Sequence, residues 1–510
     1  MSHFYNKKII HFENRKTFQV VIRYNIDKSE NNEWSRIMSI FKKRLLIVAC
    51  VLVCIPLLIG IIQYKKEPPK NISYESKQYK TDDVEFVYDL TYEQNDSTVY
   101  DHSLLEEALT IIEQAEQFLL LDMFLYNDDY DRSKGDYPEA AKTITDALIA
   151  KKEKSPLVDI IVITDKVNTM YGSAPSTYFK QLEDNEIDVI ITDMSPIRDS
   201  NPIYSSIYRP YLQWIKPSTN GFLPNPFNPD ANKASIGSYL DLINFKANHR
   251  KIVMNEQQAL VTSANLTHDG SSLHSNIGII TKGPILKDLY ISEQAVAEMS
   301  GFTLPNREFT FNNSTGDLAI QYVTEGKIKK AILREIERAE KNASIHIGVF
   351  YISDRQVVKA LKKAAKRDVH IQLILDPNKD AFGLEKNGIP NRQIAAELMK
   401  QENIEVRWYD TDGEQFHSKF LIVKHPEEVV FIGGSANFTR RNLHDYNLEN
   451  NFIVIGPPTH NFNVAITDYY NRLWNNIDGH FTEEFSVYED QSFWRKAIYR
   501  IQEFTGLSTF

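Results

Sequence analysis

Cysteine is nearly absent. The 510 residues contain two, Cys50 and Cys54, both inside one apolar run, so the chain beyond it can form neither a disulfide nor a thiolate metal site. Glycine and proline number only 20 each, which argues against collagen-like repeats and disordered linker compositions. With 42% hydrophobic and 25% charged residues, the chain has the material to bury a core. Positive charge is scarce where a polyanion would need it. Residues 1–64 hold ten Lys/Arg against four Asp/Glu, so a formal charge of −10 for the whole leaves −16 on the remaining 446 residues. That balance repels a phosphate backbone and disfavours nucleic acid as a partner. The length predicts about three domains, or one large enzyme of two packed halves.

One long hydrophobic run is present. Residues 45–62, LLIVACVLVCIPLLIGII, carry no charge and lie between Lys42-Lys43-Arg44 and Lys65-Lys66. Eighteen such residues suffice to cross a bilayer. A buried core helix would show a polar face over five turns, and a signal peptide would be followed by a small-x-small cleavage site, which is missing. The expectation is an uncleaved transmembrane anchor at 45–64, preceded by a basic arm at 1–44 and followed by a polar linker at 65–82. Because ten Lys/Arg precede the run and two follow directly, the arm should lie inside and the body outside the cell membrane. Met38 begins a short anchor start of its own, so residues 1–37 are either a dispensable arm or a misassigned start.

The body repeats itself. A first pass gives VEFVYDLT, LLEEALTIIEQAEQ, FLLLDMFLY, VDIIVIT and IDVIITD; a second gives LAIQYVTEG, IKKAILREIERAEK, ASIHIGVFYI, VHIQLIL and IEVRWYD. Strands alternating with helices predict an α/β fold with a mostly parallel or mixed sheet in each of two halves, 83–308 and 309–510. The spacing between matched landmarks, Asp193 to Asp410 and His249 to His417, places 49 extra residues in the first half, at about 194–246. That insertion, rich in Pro, Tyr and Asn, suits an irregular excursion near a functional mouth.

His249-x-Lys251 and His417-x-Lys419 are the only His-x-Lys triplets, and each opens an apolar strand. Residues two apart on a strand share a face, so each strand presents an imidazole with an ammonium. Each strand then returns to Ser263-Ala264-Asn265 or Ser435-Ala436-Asn437. One such triplet carries no weight; duplicated triplets at matching points of a repeat do. Lysine and asparagine are donors suited to phosphodiester oxygens, and two imidazoles can divide attack on phosphorus from protonation of the leaving oxygen. The chemistry would run through a covalent phosphohistidine without metal or other cofactor.

These motifs resemble the phospholipase D superfamily, whose signature is His-x-Lys-x4-Asp followed by Gly-Ser-x-Asn once per half. The resemblance covers about 83–510. It implies a duplicated phospholipase D-like fold, two α/β halves sharing one site made of His249, Lys251, Asn265, His417, Lys419 and Asn437, with Ser263 and Ser435 on the family serine in contact with substrate. The motif Asp is missing from both halves, where Glu256 (beside Asn255) and Lys424 stand, and Thr262 replaces the first Gly. The family's second acid, downstream of the Asn, is matched by Glu449, with Ser275 at the corresponding point of the first half. Glu449 is therefore expected against His417, making His417 the acid and His249 the nucleophile. The resemblance implies a membrane-anchored phosphodiesterase or phosphatidyltransferase acting on phospholipids. An anchored nuclease and a catalytically silent scaffold are the alternatives, and the oligomeric state is left open.

Overall fold

In the computed structural model, residues 28–130, 137–227, 231–311, 315–381, 384–506 and 508 are described. The chain forms two compact units, residues 1–56 and 57–510. The expected apolar run lies in the helix Lys28–Lys65. Its stretch Ser35–Lys65 is long and apolar enough to cross a membrane. Of the basic arm, residues 1–27 lie outside the described residues.

The second unit holds two mixed sheets. Short runs of β-branched residues such as Asp159–Thr164 (DIIVIT) and Ser344–Val349 (SIHIGV) are buried on both faces, as strands in covered sheets must be. One sheet runs, in spatial order, Ser97–His102, Val84–Gln94, Asn276–Lys282, Gln258–Thr262, Lys251–Asn255, Phe118–Met123, Asp159–Thr164, Asp188–Ile191. The other runs Tyr79–Thr81, Leu318–Thr324, Asn450–Gly456, Val429–Gly434, Lys419–Lys424, Ser344–Val349, His370–Leu375, Ile404–Tyr409, Thr482–Glu484. Without the added edge strands, both sheets share one seven-strand order, and the repeat seen in sequence is a repeat of topology.

The outer faces are covered by amphipathic helices. Gly326–Arg338, for example, buries Ile328, Ala331, Ile332 and Ile336 at three- and four-residue spacing. The inner faces meet through one core that joins Ile252, Ile277 and Ile279 to Phe420, Phe431 and Phe452, with helices Ile285–Met299 and Asn461–Trp474 contributing.

The segment expected as a free linker is part of this body over its second half. Ile72 is buried, Ser76 N donates to Tyr322 O at 2.9 Å, and Tyr79–Thr81 pairs antiparallel with Leu318–Thr324. An edge strand exposes one side and needs few apolar residues, so its polar sequence concealed it.

Candidate active site

Two cross-half bridges bring the motifs together. His249 N donates to Leu448 O (2.9 Å) and Leu448 N to Ala247 O (3.0 Å), while Ser275 N donates to Gln415 O (3.0 Å). Each His-x-Lys strand is thereby entered through a contact with the other half. His249, Asn265, His417 and Asn437 all line one cavity of about 270 Å3. Of the residues expected at the site, Lys251 and Lys419 do not line this cavity.

The carboxylate partner is a correction. Glu449 Oε2 lies 3.0 Å from Nδ1 of His249, not beside His417. Ser435 Oγ donates to the same carboxylate, as does the Asn442 amide, and Glu449 N is fixed by Glu325 Oε1 at 3.0 Å. His417 Nδ1 instead sits 3.1 Å from the amide oxygen of Asn276, which also accepts from Ser263 Oγ at 3.0 Å. The ladders Thr262↔Gly278 and Gly434↔Asn451 place Asn276, rather than Ser275, opposite Glu449 in the repeat. Ser275 Oγ turns away to Tyr409 Oη, at 2.9 Å.

Ser263 and Ser435 are corrected as well. Both are buried beneath the site, where each hydroxyl accepts a backbone N–H at 3.0 Å, from Ile277 and Asn450 respectively, and holds Asn276 or Glu449 in place. They position the histidines' partners and do not line the cavity.

Lys251 and Lys419 each donate to the carbonyl of their own motif histidine. Their ammonium groups face the rings of Phe124 and Phe350, at 5.0 and 5.4 Å from the centroids. Asn437 Oδ1 accepts from Tyr351 N at 3.2 Å. Asn265 Oδ1 is buried with no hydrogen-bond partner among the described residues, leaving an amide poised at the cavity.

In the first half, the residues at the place of the missing motif acid have structural partners. Asn255 Oδ1 accepts from Gln257 N (2.8 Å) and Gln258 N (2.9 Å), closing the hairpin turn, and Glu256 caps the N–H groups of Glu116, Gln117 and Phe118. Neither reaches the cavity.

Burial dominates the electrostatics. It lowers His249 to about 4 against the opposing pull of Glu449, and lowers Lys251 to about 7. His417 and Lys419 fall well below their ordinary values, through burial first and the neighbouring cations second. Burial works against the Glu449 carboxylate, but His249, Lys251 and Ser435 hold it below the usual range. The site thus crowds cationic groups whose charged forms burial disfavours, with the Glu449 carboxylate at His249 and that of Asp269 at His274. A bound phosphate would reverse that, raising both lysines and His417.

Sequence reasoning missed several residues. His274 lines the cavity with its ring 5.9 Å from that of His417, and its Nε2 lies 3.5 Å from Asp269. Arg250, between the motif His and Lys, is wholly buried and paired with Glu325 (2.8 Å) and Glu293 (2.9 Å). The histidine two residues before Asn276 was a visible signal; a buried arginine cluster has none. Pro226, Phe227, Leu242 and Phe245 of the insertion form an apolar wall of the cavity, and the helices Pro202–Ile207 and Ile236–Ile243 stand where an irregular excursion was expected. Its residues 228–230 lie outside the described residues.

Fold and site together define a duplicated α/β protein with a two-histidine, two-lysine centre shared between its halves. Residues 332–474 match the family model described as cardiolipin synthase, PLD-like domain. No curated protein matches it in sequence. Among solved structures, phosphatidylserine synthase of Haemophilus influenzae Rd KW20 is similar at 11% identity and TM-score 0.55, over 84% of this chain and 95% of that one, a likeness of fold. Polyphosphate kinase from Porphyromonas gingivalis follows at 16% identity and TM-score 0.42, over 82% and 52%. A phospholipase D family member, Nuc from Salmonella typhimurium, is 21% identical with TM-score 0.26, over 32% and 97%.

Proposed function

We propose that residues 83–308 and 309–510 act as one membrane-tethered phosphodiesterase or phosphatidyltransferase on phospholipids. The observation that carries this is the meeting of His249 and His417, each with its Nδ1 engaged, on a single cavity with a partly apolar wall. Nδ1–H of His249 is held by Glu449, which leaves Nε2 with its lone pair for attack on phosphorus. The bond from phosphorus to the leaving oxygen breaks as His417 Nε2 delivers a proton to that oxygen. Lys251, Lys419, Asn265 and Asn437 offset the charge on the non-bridging oxygens. Water or an alcohol then gives its proton to His417 and displaces His249, so hydrolysis and transfer differ only in the acceptor.

The lipid-facing part of the reading draws on the apolar helix at the N-terminus and on the apolar cavity wall. The helix is read as the tether, with the body on the extracytoplasmic side. The test is detergent-solubilised full-length protein incubated with phosphatidylglycerol, with and without a primary alcohol, in the presence of chelator, with products read by mass spectrometry. Phosphatidic acid, cardiolipin or a phosphatidyl-alcohol supports the reading. Absence of all three, or activity only on adding Mg²⁺ or Zn²⁺, overturns it.

A further inference from the structure

Two elements of the body present large apolar side chains to solvent. The helix Phe493–Thr505 is held down by Tyr499, which is buried and donates to Ser353 O at 3.2 Å. At 100° per residue, Phe493, Trp494, Ile498, Ile501 and Phe504 fall within an arc of about 140° on the side away from Tyr499. All five are exposed, Trp494 by 75% and Phe504 by 80%. Arg495, Lys496 and Arg500 flank this face and are exposed as well.

The helix stops at Gly506, in the left-handed conformation, packed so closely on the insertion that a Cβ there would lie 2.4 Å from Ser200 O. The next residue of the insertion, Asn201, caps the helix Pro202–Ile207, which exposes Ile203 and Ile207; Trp214 beyond it is 71% exposed. This short helix also meets the last turns of the apolar helix. A Cβ at Gly60 would lie 3.6 Å from Ser206 Cβ, and Lys66 Nζ donates to Ser195 O at 2.7 Å. The insertion is thus in contact both with the end of helix Phe493–Thr505 and with the last turns of a helix able to span a bilayer.

We propose that helix Phe493–Thr505 and the Ile203, Ile207 and Trp214 edge of the insertion form a second membrane contact, seated in the headgroup region of an anionic bilayer. Apolar faces of this size on soluble proteins mark interaction surfaces. Trp and Phe beside Arg and Lys on one amphipathic helix is the chemistry of an interfacial helix. The body then lies against the membrane instead of hanging from a tether. Arg441 links this contact to the cavity it lines, since its guanidinium donates to Phe245 O in the insertion and to Ser508 O beyond the helix. The proposal rests on the tether of the reading above, but not on its chemistry.

The body contains no cysteine, so the full chain carrying Cys50→Ala and Cys54→Ala accepts single labels at Trp494→Cys, Ile501→Cys, Trp214→Cys and, as a control, Leu157→Cys, where the native side chain is 97% exposed. Each fluorescent conjugate is reconstituted in phosphatidylcholine–phosphatidylglycerol vesicles containing lipid-borne nitroxide. Strong quenching at 494, 501 and 214, and little at 157, is expected. Equal quenching at all four positions, or cross-linking of Trp494→Cys between copies without quenching, overturns the proposal, the latter in favour of a protein interface. A chain that fails to float with vesicles overturns the tether itself. In a second arm, Ile498→Asp with Phe504→Asp should lower turnover of vesicle phospholipid by about tenfold while sparing a short-chain soluble diester. If neither substrate turns over, the enzymatic reading fails and quenching still decides the contact.

Discussion

Glu449→Gln removes one charge and little volume from the partner of His249. The wild-type carboxylate is fully buried, 3.0 Å from Nδ1, and anchored by Ser435 and Asn442, so the substitution chiefly replaces a charge-assisted hydrogen bond by a neutral one. Such bonds contribute about 1.5–3 kcal/mol, and the positive charge that grows on His249 during attack needs them most, so kcat should fall about 10- to 150-fold. The pH profile gives a sharper test. His249 must be neutral to attack, burial lowers it to about 4, and Glu449 opposes that by favouring the imidazolium. Removing the carboxylate lowers His249 further, so the acidic limb of kcat/KM should move to lower pH while the alkaline limb stays. The profile would be measured on a soluble phosphodiester, with circular dichroism at each pH to exclude unfolding. An alkaline limb that moves while the acidic limb stays would place the carboxylate's action on His417 and refute the pairing.

Arg250→Met should cost about 3–5 kcal/mol in denaturant unfolding, because Glu293 and Glu325 would be left as uncompensated buried charges; a loss under about 1 kcal/mol would contradict the ion-pair account. Lys419→Met should reduce kcat/KM about 100- to 1,000-fold without lowering Tm, since burial already disfavours that ammonium in the free protein; a fall in Tm would assign Lys419 a structural role instead. In His417→Asn, the covalent species should accumulate on His249 and be found there by peptide mass spectrometry; phosphohistidine at 417 in His249→Asn, with none at 249 in the reciprocal variant, would invert the roles. Protease added to intact cells should digest the body, and full protection would refute the extracytoplasmic orientation.

Much of the architecture was legible because hydrophobic runs and duplicated triplets are local signals. The two passes of strands, the six His, Lys and Asn residues, and the place of the extra 49 residues were all visible in the chain. What escaped was pairing across the halves. Nothing local to Glu449 says whether its carboxylate faces the histidine 32 residues before it or the one 200 residues before it. The bridge between His249 and Leu448 makes that choice in three dimensions. The slip from Asn276 to Ser275 has a simpler source. The return from Ser263 to Asn276 spans 13 residues and that from Ser435 to Glu449 spans 14, so the two halves share no spacing that would fix the partner position from sequence. Arg250, Glu293 and Glu325 were invisible for another reason: charged residues are ordinarily solvated, and only the packed helix Ile285–Met299 shows that these are not.

The exchange of partners between the halves carries a consequence for the origin of the site. Were the two halves separate identical subunits related by a twofold axis, each histidine would meet the same partner, and neither would be distinguished before substrate arrived. Within one duplicated chain, the two partner positions have parted company, a carboxylate at 449 and an amide at 276. The division of labour proposed between attack and proton donation would thus be written into the resting protein, an asymmetry that symmetric assembly forbids.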